Sequence, residues 1–362
     1  MRVIFRADAS LDIGLGHVMR CLTLAQSLSN LGFNVEFISR EHNGNMNDSI
    51  ESKGFKLYSL PGRKGGSTQS ECLGYGAWLG VDSKTDVEQS IQCFIGEKVD
   101  LLVVDHYALD VEWEKLVRPY VKRIMVIDDL ANRHHDCDVL LDQTYGRRAI
   151  DYASLVPSNC TLLLGSTNAL LRPEFAALRP RVLKRREAFS GIKHIMVSMG
   201  GLDEANVTAS ILNALRLVAW ETPPAIDIVL TSKSPFLEEI SKLALHYPYT
   251  VNLQIDATNM AELMLRADLA IGAGGTTSWE RCSMALPTIL IVLADNQKVI
   301  GESLMQAGAT VTLQEDEYLQ NNIRLTIERL LLDAEMYADL SINSSIICDG
   351  MGAIRVAKKM LQ

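Results

Sequence analysis

No two cysteines of this chain stand at CxxC spacing, and the seven present (Cys21, Cys72, Cys93, Cys137, Cys160, Cys282 and Cys348) are scattered and odd in number. That pattern excludes a disulfide framework and suits reduced thiols in a cytoplasm. No apolar run approaches the roughly 20 residues that a membrane-spanning helix needs. The N-terminus lacks the basic-then-apolar pattern of a secretory signal. Basic charge is not in excess either: 35 lysines and arginines stand against 44 acids, for a formal net charge of −9. A nucleic-acid surface needs the opposite balance. The chain is therefore expected to be cytoplasmic, with neither nucleic acid nor membrane as partner; a monomer is the default expectation, which composition does not decide. A nucleotide remains admissible, because backbone amides hold phosphate with little net positive charge.

What the chain does have is length and alternation. Its 362 residues, 48% hydrophobic and 22% charged, exceed one ordinary α/β domain. Strand-like apolar runs alternate with amphipathic segments, the mark of a mainly parallel sheet. In the first half they are 2–7, 34–39, 101–105, 123–127, 139–142 and 161–164; in the second, 194–198, 225–230, 251–255, 269–271, 288–291 and 309–313. The spacing of Val18, Cys21, Leu22, Ala25 and Leu28 predicts a helix over 16–31, stopped by Gly32. The expected fold is α/β, with two Rossmann-like, doubly wound domains facing across a cleft. Residues 1–180 form the first domain and 190–345 the second, while a last helix at 346–362 packs back on the first. Five basic residues from Arg179 to Arg186, with Pro173 before them and Pro180 just before Arg181, read as a solvated linker or helix at the boundary. The Gly-rich stretch 61–80 reads as a mobile loop, with Tyr75 and Trp78 as possible lid contacts.

Two glycine turns carry most of the functional signal. Gly14-Leu15-Gly16-His17-Val18-Met19-Arg20 follows the first strand, and Gly272-Ala273-Gly274-Gly275-Thr276-Thr277-Ser278-Trp279-Glu280 follows a strand in the second half. A glycine turn that feeds a helix presents free N–H groups and the positive end of the helix dipole, which together favour an anion. His17 stands in such a first turn, where the dipole disfavours the imidazolium and leaves the ring free to take a proton from water. A histidine used only to bond the helix start remains the alternative. The dinucleotide fingerprint fails, because Met19 occupies the place of the third glycine and the second strand ends at Ser39-Arg40 without an acid. Gly274, Gly275, Thr276 and Thr277 suit a diphosphate, and Glu280, one turn on, suits a ribose diol. Gly200-Gly201 offers a further close backbone approach, or an ordinary tight turn. Strand ends line the binding edge of open α/β sheets, which brings in Arg6, Asp8 and Tyr107 from the first half and Asn296 and Gln297 from the second. His134-His135-Asp136-Cys137-Asp138 lacks the ligand spacing of a zinc site, and no GxSxG elbow occurs.

The chain resembles the nucleotide-sugar enzymes of the GT-B fold, and more narrowly the UDP-sugar hydrolases of pseudaminic acid biosynthesis. The resemblance runs through Arg6-Ala7-Asp8-Ala9-Ser10, Ile13 to Cys21, Trp78-Leu79-Gly80, Val104-Asp105-His106-Tyr107, Ile127 to Ala131 and Gly165 to Phe175. It continues through Gly200-Gly201, Gly274 to Glu280, Asn296-Gln297 and Asp349 to Ala353. It implies hydrolysis of UDP-2,4-diacetamido-2,4,6-trideoxy-β-L-altropyranose to UDP and the free sugar, inverting and without a metal or other cofactor. It also implies that His17 deprotonates the water and that Tyr107 and Asn296 lie at the sugar. Glu280 would hold the ribose and Gly274–Thr277 the diphosphate. A GT-B glycosyltransferase, a UDP-sugar 2-epimerase and a non-catalytic UDP-sugar binder stay open as alternatives.

Overall fold

A computed structural model describes residues 1–62, 74–94, 96, 98–200 and 202–361, the side chain of Asn296 excepted. Most of the stretch 61–80 expected to form a loop therefore lies outside the described residues. The chain divides into two compact units: Met1–Leu171 with Met351–Gln362, and Arg172–Gly350. Both are α/β and built on parallel sheets, as the alternation of apolar runs predicts.

The first unit contains β1 (Arg2–Ala7), α1 (Gly16–Asn30), β2 (Asn34–Arg40), α2 (Asn47–Ser52), β3 (Lys56–Leu60), α3 (Ser83–Gln92), β4 (Val99–Asp105), α4 (Val111–Val117), β5 (Val121–Ile127), β6 (Val139–Asp142) and β7 (Thr161–Leu164). Its strand order is β3-β2-β1-β4-β5-β6-β7. Every residue of β1 is buried, because helices cover both faces of a parallel sheet. Side chains alternate between those faces. Val3, Phe5 and Ala7 pack with α1, while Ile4 packs with Ile38, Leu102 and Trp113 on the opposite side. The strand that the apolar runs do not announce is β3, an edge strand whose side chains, Leu60 apart, are exposed or half-exposed and so carry little apolar signal.

The second unit opens with α5 (Pro173–Glu187), β8 (His194–Ser198), α6 (Val207–Arg216), β9 (Ala225–Leu230), α7 (Leu237–Leu245), β10 (Val251–Ile255), α8 (Met260–Arg266) and β11 (Leu269–Ala273). It continues with α9 (Thr276–Ser283), β12 (Thr288–Val292), α10 (Asp295–Gln306), β13 (Thr310–Gln314), α11 (Leu319–Leu332) and α12 (Ala334–Ile347). The order is β10-β9-β8-β11-β12-β13. The basic stretch at 179–186 lies within α5, so the division falls before it, at Leu171. Arg179 donates to the carbonyls of Ser283, Ser345 and Cys348, and Arg186 to those of Met264 and Ala267. These bonds make α5 part of the second unit.

The chain then returns to the first unit as α13 (Gly352–Lys359). Ala353, Val356, Ala357 and Met360 join the core that holds Val18, Cys21, Leu22 and Ala25 of α1. Burying a valine or methionine of this kind contributes about 1.5–3 kcal/mol. No helix among the described residues is long and apolar enough to cross a membrane.

Gly352 opens α13 against the main chain of Asn168 and Ala169, and a methyl group there would overlap backbone atoms. G352A is expected to destabilise the protein by about 1–3 kcal/mol, seen as a lower urea midpoint. G16A, where an added methyl meets nothing within 4 Å, should leave the midpoint unchanged or slightly higher.

Candidate active site

In the first sheet the strand order reverses between β1 and β4, and ligand sites of open α/β sheets form at the carboxyl ends of strands at such a point. The loop after β1 leads into α1 there. Gly14 has a φ of +79°, which a side chain would disfavour, and its N–H closes on Ser10 O at 2.9 Å. This turn sets His17 into the first helical turn, where its side chain meets the end of β4. His17 Nδ1 lies 2.6 Å from Asp105 Oδ1.

Asp105 accepts from a second side chain as well. Arg20, one turn after His17 on α1, gives Nε to Oδ2 at 2.6 Å and Nη2 to Oδ1 at 2.6 Å. Burial alone would push the Asp105 carboxyl up, but Arg20 and then His17 outweigh it and hold it below the usual carboxylate range. An ionised carboxylate only accepts, so the contact needs a proton on Nδ1 of His17, and in the neutral ring the lone pair then lies on Nε2. The 3.2 Å between Arg20 Nη2 and His17 Nδ1 follows from two donors sharing one oxygen. Arg20 also bridges to Asp129, which follows β5, at 2.8 Å. Asp129 in turn accepts from the Tyr107 hydroxyl. Burial and then Asp129 push the Tyr107 phenol far up, so it stays protonated. The Tyr107 ring stands edge-on to His17 at 4.7 Å, with Trp78 stacked on Tyr107 at 5.6 Å and Tyr75 beside both. The imidazole is thus fixed by a carboxylate on one nitrogen and by aromatic rings at its side. Such a group can take a proton at Nε2.

Three residues expected to bind substrate are otherwise engaged. Arg6 follows Ile4 in the alternation of β1, so it points beneath the helix-covered face rather than out of the edge. It is fully buried and paired with Asp8 at 2.5 Å and Asp86 at 2.7 Å. Asp8 is equally buried, and it accepts from Arg6 and from the Arg40 amide, with His106 at 3.3 Å. Both belong to the core. Arg20 is 3% exposed and tied to two aspartates, one of which also holds His17. His135 of the His-His-Asp-Cys-Asp run is buried against Glu114 at 2.7 Å.

In the second unit the order reverses between β8 and β11. Gly200 follows β8, and Gly201 lies outside the described residues. The helix beyond, α6, is already capped: Asp203 accepts from the amides of Val207 and Thr208, each at 2.9 Å. The turn after β11 differs. Gly275 N–H reaches Ser278 Oγ at 3.3 Å, and no carboxylate caps α9 among the described residues. The amides of Thr276 and Thr277 sit in its first turn, where a helix offers them no carbonyl. Gln297 supports this turn from α10: its Cβ would lie 3.0 Å from a Cβ added at Gly274, and its Oε1 accepts from Leu293 N–H. The side chain of Asn296 lies outside the described residues.

Glu280 is one turn into α9, with its side chain 13% exposed and Arg172 Nη2 3.8 Å away. Burial raises its carboxyl to about 7, against the opposing pull of Arg172. Asp105, Asp129, Arg172 and Arg281 were absent from the expected set of site residues. An acid ending a strand beside β1 was the available signal for Asp105, but it needs the strand order to be read.

A relative from Campylobacter jejuni, a UDP-2,4-diacetamido-2,4,6-trideoxy-β-L-altropyranose hydrolase, is 30% identical over 313 residues, which cover 86% of this chain and 98% of the relative. The chain belongs to the family of that hydrolase. Residues 237–350 match the family model of the glycosyltransferase family 28 C-terminal domain. The Bacillus subtilis spore coat polysaccharide biosynthesis protein SpsG is 24% identical, covering 72% of this chain and 76% of its own. Among solved structures, Acinetobacter baumannii MurG superposes with a TM-score of 0.70 at 14% identity, over 99% of both chains. The Neisseria meningitidis UDP-GlcNAc 2-epimerase bound to UDP-GlcNAc does so with 0.63 at 15% identity, over 100% of both. The GT-B fold expected for this family is thus present.

A native carboxyl that titrates near 7 keeps a proton which the unfolded chain releases near 4.5. Between those values the stability contributed by Glu280 falls as pH rises. E280Q stays neutral throughout. Its stability relative to wild type should grow by up to ~3 kcal/mol between about pH 4 and about pH 8, measured by urea unfolding at each pH. A flat difference would show that Glu280 does not titrate in this window.

Proposed function

We propose that this protein hydrolyses UDP-2,4-diacetamido-2,4,6-trideoxy-β-L-altropyranose to UDP and the free sugar, with inversion at the anomeric carbon and without a metal. The observation that carries the reading is the 2.6 Å contact between His17 and Asp105, in a chain 30% identical to a hydrolase of that name. His17 Nε2 takes a proton from water while the water oxygen bonds to the anomeric carbon. The C–O bond to the diphosphate breaks, and its electron pair leaves with UDP. Asp105 keeps its negative charge and stabilises the imidazolium as it forms. Tyr107, its hydroxyl donating to Asp129, has lone pairs left to help place the water and the sugar.

In the second unit, Gly274 to Thr277 take the diphosphate. The amides of Thr276 and Thr277 meet the charge that grows on departing UDP, an electrostatic role that needs no metal. Glu280 accepts from the ribose hydroxyls, Asn296 is assigned to the sugar, Gln297 belongs to the substrate-binding set through the Gly274 turn, and Gly200 allows a close backbone approach. Transfer of the sugar to an acceptor hydroxyl is the second reading, favoured by the family 28 match and by the likeness to MurG.

UDP release from this UDP-sugar, with EDTA present and no acceptor, separates the two. Wild type should turn over. H17A should lose about 10²–10⁴-fold in kcat and D105N at least ~10²-fold, both with UDP affinity within about twofold of wild type. Wild type that binds the UDP-sugar yet releases nothing would remove the hydrolase reading in favour of transfer.

A further inference from the structure

We propose that Arg281 supplies the positive charge that selects a diphosphate at the turn after β11. The proposal rests on the assignment of that turn to the diphosphate of UDP.

Six arginines are buried among the described residues: Arg2, Arg6, Arg20, Arg40, Arg186 and Arg281. The first four have carboxylate partners: Glu36 for Arg2, Asp8 and Asp86 for Arg6, Asp105 and Asp129 for Arg20, and Asp86 for Arg40. Arg186 has none in contact, but it donates to carbonyls at the end of α8, where the helix dipole is negative. Arg281 stands in the opposite field. It is 3% exposed, and its side chain runs back along α9 toward the N-terminus, as helical side chains do. There Nη2 donates to Ala273 O at 2.8 Å and to Ser278 Oγ at 3.0 Å, and Nη1 reaches Thr277 Oγ1 at 3.3 Å. Nε has no partner. A Cβ added to Gly272 would lie 2.6 Å from Nη1, so the guanidinium lies directly against the end of β11.

A buried cation, the positive end of a helix and the first-turn amides of Thr276 and Thr277 therefore converge on one turn. No carboxylate among the described residues is in ion-pair contact with this guanidinium. The adjacent Glu280 attracts Arg281 only from beyond ion-pair distance, and it has Arg172 at 3.8 Å. Burying an unpaired charge is costly, and the cost falls when an anion arrives. A diphosphate has the right sign and size to lie over that turn and meet both the amides and the field of Arg281. The arginine acts as a positioning residue. Its bond to the Ala273 carbonyl holds the turn from behind, and its charge adds to what the helix start provides.

The test is the ratio of UDP affinity to uridine affinity, measured by titration calorimetry. R281Q should lower this ratio at least tenfold with uridine binding nearly unchanged, and R281K should stay within about threefold of wild type. A ratio unchanged in R281Q, or lost as fully in R281K, overturns the proposal, as does a parallel loss of UDP and uridine binding. A second variant serves if R281Q does not fold. S278D places a carboxylate beside Nη2, so it should raise the unfolding midpoint without nucleotide and weaken UDP binding; an unchanged or lower midpoint overturns the proposal. Wild type that binds uridine but gains nothing from the diphosphate would instead remove the assignment of the turn itself.

Discussion

Asp105 accepts from His17 and Arg20 at once, and much of the first unit is arranged to let it. Two donors on one helical turn can share one carboxylate only if that carboxylate sits at the end of the strand next to β1. The order β2-β1-β4 provides this, because the chain leaves β1, crosses through α1 and β2, and places β4 on the free side. The arginine keeps the carboxylate ionised inside an apolar setting, and the carboxylate keeps the imidazole in one tautomer. Asp129 holds the far side of the arginine and receives Tyr107. The His17 ring is thereby surrounded by groups whose own protons are fixed.

The second unit is arranged differently. Two helices begin at its reversal point, and they meet opposite fates. The first amides of α6 are satisfied by the chain's own Asp203, whereas those of α9 are left to a glycine turn with a serine hydroxyl. An internal carboxylate would compete with any external anion, so the uncapped helix is the one suited to phosphate. The glycine turns before α1 and α9 look alike in sequence, yet one frames an imidazole and the other an uncapped helix start. The side chains of the helix behind each turn make the difference: a histidine facing a strand-end aspartate in α1, hydroxyls backed by a buried arginine in α9.

Most of the parallel strands are buried on both faces and leave apolar runs, while β10 and β13 kept enough apolar residues to be read although little of them is buried. Twelve of the thirteen strands were therefore legible. The edge strand β3 was not, because Lys56, Leu57, Tyr58 and Ser59 are exposed or half-exposed. His17 stood out as a polar residue in a glycine-rich helix start. Its partner did not, since 88 residues separate the two and only the strand order joins them. Arg6 and Asp8 were read for a related reason: a charged pair at a strand end suggests a ligand edge, and the structure shows the two-residue alternation of β1 turning Arg6 toward Asp86. Arg281 was illegible as well, since nothing in a Trp-Glu-Arg-Cys run says which way the guanidinium turns.

The return of α13 makes the first unit discontinuous, with consequences for how the chain is made. Residues 1–171 leave the ribosome long before residues 351–362 are synthesised, so the apolar face of α1 waits without its partner while the whole second unit emerges. The half that carries His17 is incomplete until the residues from Met351 onward have emerged. The end of the chain is therefore no dispensable tail: Val356 and Met360 are as much part of that core as Val3 and Phe5.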